Sequence, residues 1–219
     1  DFFIFKKHFY NSLILSSEIQ NNVDQIWNHL KGKLFVGVHV RKTDKRHDWP
    51  TVASKNPREY LNFDDVTSNE QYINVMKKIV TKFPNVYFYI ASNNNVSKMF
   101  FKVQAEHQKK YFDNKFYFLD IPKDGLNRFT MTGMELAIVE FFILSKTELV
   151  ISTYGSSFGQ EASFWTSTPE LLLRNGGHIY HENNILLPNC NNDLYASQIA
   201  NIIEKNVAER QTIKYENGN

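Results

Sequence analysis

Three stretches of this 219-residue chain carry side chains suited to holding an anion. The first, His39-Val40-Arg41-Lys42-Thr43-Asp44-Lys45, sets adjacent cations just beyond an apolar run. Arginine offers a planar fork of donors and lysine a point charge, a combination that grips phosphate. Pairing of Arg41 with Asp44 accounts for the same residues equally well. The second, Ser152-Thr153-Tyr154-Gly155-Ser156-Ser157-Phe158-Gly159, is a small-residue loop that runs into a helix start. Such a loop leaves backbone N–H groups free and adds hydroxyl donors, which is anion-binding geometry. A serine cap after a flexible turn is the plainer alternative, and the lysine and glycine spacing of a P-loop is missing. The third, Ala91-Ser92-Asn93-Asn94-Asn95, offers short amides that can read a ligand edge or cap the following helix. In a chain with 24 asparagines, capping is the stronger reading. Asn95-Val96-Ser97 also matches an N-glycosylation acceptor.

Glu140 stands among Val139, Phe141, Phe142, Ile143 and Leu144, where a carboxylate is costly to bury without a partner. A salt bridge to Arg128 or to a lysine is the favoured explanation. The other is a base such as guanine, whose adjacent N1–H and N2–H donors a carboxylate can accept together. Weaker candidates carry less. His178 and His181 are separated by two residues, with no evident third metal ligand. Asp64-Asp65 is a common dipeptide, and Ser156 lacks the tight Gly-x-Ser-x-Gly elbow of a hydrolase nucleophile. Cys190 is the single cysteine, so neither an internal disulfide nor a thiolate zinc cage is available.

The elements that would position these groups alternate. Ser16-Ser17 and Glu18 open a helical pattern with Ile19, Val23, Ile26 and Leu30 on one face, and Gly32 stops it. Residues 34–40 are apolar on both faces, as in a buried parallel strand. Residues 41–68 read as loop, 69–83 as helix, 86–91 as strand, 97–110 as helix and 115–119 as strand. A strongly apolar helix over 133–145, a strand over 148–152 and a short helix over 158–165 follow. Weaker strands fall at 171–173 and 178–180, and a closing helix at 193–205. The opening residues 1–12 read as aromatic and irregular. Strand and helix in alternation predict an α/β domain, a mainly parallel, Rossmann-like sheet flanked by helices. Ligands of such sheets sit at the carboxyl ends of the strands near a topological switch, where all three stretches fall.

Composition removes other classes. With 42% hydrophobic and 22% charged residues and a net charge of +2, the chain reads as an ordinary globular protein and not a nucleic-acid binder. No apolar run approaches the ~18 residues of a membrane span. The first residue is Asp, so the chain is expected to be a segment of something longer.

Together these blocks resemble the GDP-fucose-dependent fucosyltransferase superfamily, whose members have the two-domain GT-B fold. Val36 to Lys45 is similar to the family's His-x-Arg-Arg-x-Asp motif, closest to its α1,6 form, with Lys42 at the second arginine. Val86 to Asn94 resembles the strand that ends in a small residue and two acids, here Asn93 and Asn94. Asn127-Arg128-Phe129-Thr130 through Glu140 to Phe158 resembles the third block, and Thr153 to Gly159 the Ser-Phe-Gly loop of the α1,2 branches. The resemblance runs from about Ser16 to Trp165, with the blocks in order.

The resemblance implies an inverting, metal-independent transferase of protein glycosylation. It would pass L-fucose from GDP-fucose to a glycan or glycoprotein hydroxyl in α1,6 or α1,2 linkage. GDP-fucose is then the donor substrate, and no further cofactor is required. Arg41 would hold the diphosphate with His39 beside it and Lys42 adding charge. Asn93 and Asn94 would meet the nucleoside, Glu140 the guanine, and Ser156 or Ser157, with Phe158, the phosphate. Asp48 is the first choice for the acceptor-activating base, with His47 as substitute, although Trp49 is the aligned residue. Residues 34–205 would form the GDP-sugar-binding domain, residues 1–33 the lead from a missing acceptor-side domain of the same chain, and 206–219 a polar tail. Eukaryotic relatives imply the Golgi lumen, and a bacterial or viral source the cytoplasm. Two rival readings are a non-catalytic nucleotide- or glycan-binding module with a degraded donor site, and a GT-B transferase for another nucleotide sugar.

Overall fold

The computed structural model describes residues 2–42, 66–119, 130–174, 177–182, 185–187, 201 and 203–205. Seven strands form one sheet: β1 (Leu34–Val40), β2 (Val86–Ser92), β3 (Phe116–Phe118), β4 (Leu149–Thr153), β5 (Glu170–Arg174), β6 (Gly177–Glu182) and β7 (Ile185–Leu187). Their spatial order is β3-β2-β1-β4-β5-β6-β7. The first five are parallel, and β5–β6 and β6–β7 pair antiparallel. The parallel core is the Rossmann-like sheet that the alternation predicts. The antiparallel edge is an addition, and β7 had no counterpart among the expected strands.

The flanking helices are α1 (Phe2–Ser12), α2 (Ser17–Leu30), α3 (Asn69–Lys82), α4 (Asn95–His107), α5 (Lys109–Phe112), α6 (Met131–Ser145) and α7 (Ser157–Thr166). Four begin on a side chain that accepts an otherwise orphaned backbone N–H: Ser16 from Ile19, Ser68 from Gln71, Asn94 from Ser97 and Thr130 from Gly133. Gly32, at φ +85°, turns the chain after α2.

Strand β1 shows why both faces had to be apolar. Val36, Val38 and Val40 join Phe88, Ile90, Ile151, Leu171 and Leu173 under α3, α4 and α5, with Tyr72, Met76, Phe101 and Phe112 packed on them. Phe35 joins Tyr89 and Ala91 in a second cluster with Val23 and Leu30 of α2, Ile143 and Leu144 of α6 and Ala162 of α7. Gly37 admits α6 to that face, since a Cβ there would lie 2.8 Å from both Leu144 Cδ2 and Thr147 Oγ1.

Two differences from the sequence expectation concern helices. Residues 2–12 are helical, not irregular: Lys6 and Tyr10 both bond Glu161 of α7, and Trp165 donates to Asn11. Docking onto α7 fixes a segment whose own periodicity is poor. The helix expected over 97–110 starts at Asn95 and breaks at Gln108. Of the closing helix, residues 201 and 203–205 are helical. Thr43 to Lys45, His47, Asp48, Trp49, Asp64, Asp65, Arg128 and Cys190 lie outside the described residues.

Candidate functional site

The strand order reverses between β1 and β4, so their carboxyl ends diverge into adjacent connections. This is where an open parallel sheet accepts a ligand. Backbone register sets His39 opposite Ser152 there, and Arg41 follows β1 as Tyr154, Gly155 and Ser156 follow β4. The two strand ends are tied together. The Arg41 N–H donates to Thr153 Oγ1 at 2.8 Å, and the Tyr72 hydroxyl shares a 2.6 Å hydrogen bond with the same oxygen.

Helix α7 starts at this edge. Gly155 takes a left-handed turn (φ +78°), Ser156 is the N-cap with no side-chain capping bond, and Ser157 is the exposed first helical residue. Free N–H groups of the first turn and the Ser156 hydroxyl thus stand beside the residues that end β1. Phe158 packs on the His39 ring, with centroids 4.9 Å apart. Gly159 makes the approach possible: a Cβ there would meet Ser152 Cβ at 2.6 Å and His39 Nδ1 at 3.3 Å.

His39 is buried, and its Nδ1 has no hydrogen-bond partner among the described residues. Burial, then the Arg41 guanidinium, pushes its pKa down to about 3, so the imidazole is neutral at physiological pH. Sequence reasoning had passed over the group behind it. Ser152 donates to Glu170 of β5, and burial pushes that carboxyl up to about 7, against the favourable Ser152 bond and aided by the charge of Glu161.

The remaining candidates serve the framework on the β2 side. Lys42 donates its ammonium to the Thr67 carbonyl at 2.7 Å. Asn93 accepts from the Lys42 N–H at 2.9 Å and donates to the Lys42 carbonyl at 3.0 Å, clasping the ends of β1 and β2. Asn94 caps α4, as the abundance of asparagine suggested. Glu140 is buried in a 2.7 Å salt bridge with Lys98 of α4. Desolvation raises its pKa, and Lys98 and the Ser92 backbone act against that rise. This is the lysine partner allowed for above, 42 positions away in sequence. The structure therefore gathers His39, Arg41, Ser156, Ser157 and Phe158 at one edge and places Lys42, Asn93, Asn94 and Glu140 in framework contacts beside it. Among the described residues, no three His, Cys, Asp or Glu side chains are grouped to hold a metal ion.

A parallel sheet of this order, covered by helices on both faces, is a Rossmann-like domain. No protein-family model matches the sequence, and no curated protein matches it. Solved structures do. NodZ α1,6-fucosyltransferase soaked with GDP-fucose superposes with a TM-score of 0.51 at 15% identity, over 80% of this chain and 51% of that one. Fucosyltransferase NodZ from Bradyrhizobium gives 0.47 at 16% identity over 77% and 48%. A mutant FUT1 of Arabidopsis thaliana in complex with GDP gives 0.45 at 11% identity over 72% and 33%. The 0.51 superposition shows the fold, an α/β Rossmann-like domain, and the chain spans about half the length of that structure.

Proposed function

We propose that this chain is the donor-binding half of a glycosyltransferase and that it takes GDP-fucose at the β1–β4 switch. The observation that carries the reading is the convergence of Arg41, His39 and the uncapped start of α7 on one edge of the sheet. As fucose leaves GDP, charge builds on the β-phosphate while the sugar becomes oxocarbenium-like. A fixed guanidinium, free N–H groups and a hydroxyl stabilise that leaving group, and losing one preorganised donor typically costs ~10²–10³ in rate. An acceptor hydroxyl of a glycan or glycoprotein attacks from the opposite face with inversion. Asp48 is the proposed base, and the linkage, α1,6 or α1,2, depends on the acceptor side.

The other half of the cleft is proposed to be a second α/β domain. Exposed apolar side chains support a covering domain at the carboxyl edge: Val96 and Met99 open α4, Met131 and Met134 open α6, and Ile14 precedes α2. With a Golgi location, the acceptor would be a maturing glycoprotein.

The framework roles of Lys42, Asn93 and Glu140 favour one alternative, a nucleotide-binding module without turnover. Calorimetry with GDP, GDP-fucose and UDP, followed by transfer assays on the full-length protein, separates the two. GDP-selective binding with transfer supports the enzyme, binding without turnover supports the module, and tight UDP binding points to another sugar donor. Arg41→Ala is expected to abolish transfer with the fold retained, and near-wild-type turnover by that variant refutes the assignment.

A further inference from the structure

Behind the switch edge lies a buried polar chain for which diphosphate binding by Arg41 and α7 has no use. Ser152 and Glu170 are both almost fully buried and bonded to each other. Register sets Ser152 opposite His39 on the same face of the sheet. The missing side chain of Gly159 leaves a point only 3.0 Å from Ser152 Oγ and 3.3 Å from His39 Nδ1. Nδ1 is a buried polar atom with no partner among the described residues, and it and Ser152 Oγ flank the same point above Gly159. A hydrogen bond between the two would give Nδ1 the partner it lacks.

We propose that Glu170, acting through Ser152, is a positioning residue that sets the tautomer of His39 and so decides whether Nε2 offers a proton to the diphosphate of a bound nucleotide sugar. The proposal rests on the reading of the switch edge as a diphosphate site. When Glu170 is protonated, its carboxyl O–H donates to Ser152 Oγ and the Ser152 O–H turns to His39 Nδ1. The single proton of the neutral imidazole then sits on Nε2 and donates to a phosphoryl oxygen. When Glu170 is ionised, it accepts the Ser152 O–H, and Ser152 Oγ accepts from Nδ1–H. Nε2 then presents a lone pair, which repels an anion. One proton is exchanged with solvent and resides on Glu170; the imidazole gains and loses none overall.

The surroundings fit a change near neutrality. Burial and the charge of Glu161 hold the Glu170 carboxyl at about 7. Glu161 is itself gripped by Lys6 and Tyr10 of α1. Across the sheet, Tyr72 of α3 senses the Glu170 charge, and the β6 register sets His181 opposite Glu170. His39 meets Arg41 electrostatically and Phe158 by its ring, and it stays neutral throughout.

The test uses ¹⁵N NMR of the His39 imidazole and calorimetry with GDP-fucose, both from pH 6 to 8. GDP-fucose suits the purpose because a diphosphate esterified at both ends does not titrate in this range. The wild type is expected to shift from the Nε2–H to the Nδ1–H tautomer as pH rises, and its affinity to fall about tenfold, one unit of log K over a one-proton step. Glu170→Gln, which has no titratable proton, should hold one tautomer across the range and bind at pH 8 as tightly as at pH 6. Ser152→Ala should lose the tautomer shift, which keeps the test decisive if Glu170→Gln fails to fold. An unchanging wild-type tautomer, an unaltered shift in the variants, or a shift with pH-independent affinity overturns the proposal. Absence of GDP-fucose binding at every pH refutes the donor reading instead, and the NMR arm still decides the Glu170–His39 coupling.

Discussion

Gly159 lies where the α7 helix meets the strand ends, and adding one methyl there probes packing and site together. In Gly159→Ala the new Cβ would lie 2.6 Å from Ser152 Cβ, 3.0 Å from Ser152 Oγ and 3.3 Å from His39 Nδ1. Carbon atoms rest ~3.5–4.0 Å apart, so about 1 Å of separation must be found. Ser152 Cβ is fixed to the middle of a parallel sheet and cannot rotate away. The start of α7 must move instead. Overpacking of this kind costs ~1–3 kcal/mol, while replacing glycine by alanine in a helix returns up to about 1 kcal/mol. The net loss of about 1–2 kcal/mol corresponds to a fall in Tm of roughly 2–8 °C for a chain of this size. The larger effect is on the ligand. Displacement of about 1 Å in a positioned group can cost about 10²-fold, so GDP affinity should drop at least about tenfold. Gly32→Ala is the control: nothing lies within 4 Å of its Cβ, but φ is +85°, so it loses stability through backbone strain far from the switch. Thermal melts and GDP titrations of both variants decide the matter. A Gly159→Ala protein with raised Tm, or with no more loss of affinity than Gly32→Ala, refutes the reasoning.

Two other outcomes are expected. Lys98→Met leaves the buried Glu140 carboxylate without its cation, which typically costs ~3–5 kcal/mol. The loss should be larger at pH 8 than at pH 5, where protonation of Glu140 relieves it; chemical denaturation at both pH values measures the difference, and equal losses count against a buried ion pair. The wild type should also show two opposed pH limbs of stability. Neutral His39, with its pKa lowered to about 3, stabilises the fold above its ordinary 6.5 and loses that contribution as pH falls. Protonated Glu170, raised to about 7, stabilises below its ordinary 4.5 and loses that contribution as pH rises. Each slope is about 1.4 kcal/mol per pH unit where it acts alone, and the two cancel between them. Glu170→Gln should remove the alkaline limb in melts from pH 3.5 to 8, and a persisting limb would reassign it.

The sheet was legible because strand burial on both faces is written locally. Residues 34–40 and 86–92 have no polar alternation that could belong to a half-exposed strand. Strand ends were legible for a related reason. In a parallel sheet the carboxyl edge follows from chain direction alone, so Arg41 and Ser156 reach one edge whatever their neighbours are. Partners are different, because they depend on helix register and on which way a side chain leaves the strand end. Asn93 and Asn94 are the same residue side by side, yet one clasps the Lys42 backbone and the other caps α4. The Lys98 that meets Glu140 sits in the first turn of α4 with no mark to distinguish it from Lys102 on the same helix. Glu170 was invisible for the converse reason. It leads an apolar run as a strand's first residue commonly does, and only the β4–β5 register turns it inward, two positions before Leu172, onto the face that carries Ser152. A burial cost follows from that orientation, and the partners that offset it are neighbours across strands, not along the chain. The residues that gather at the strand ends can therefore be read from the sequence, while the groups that contact them emerge only once register is fixed.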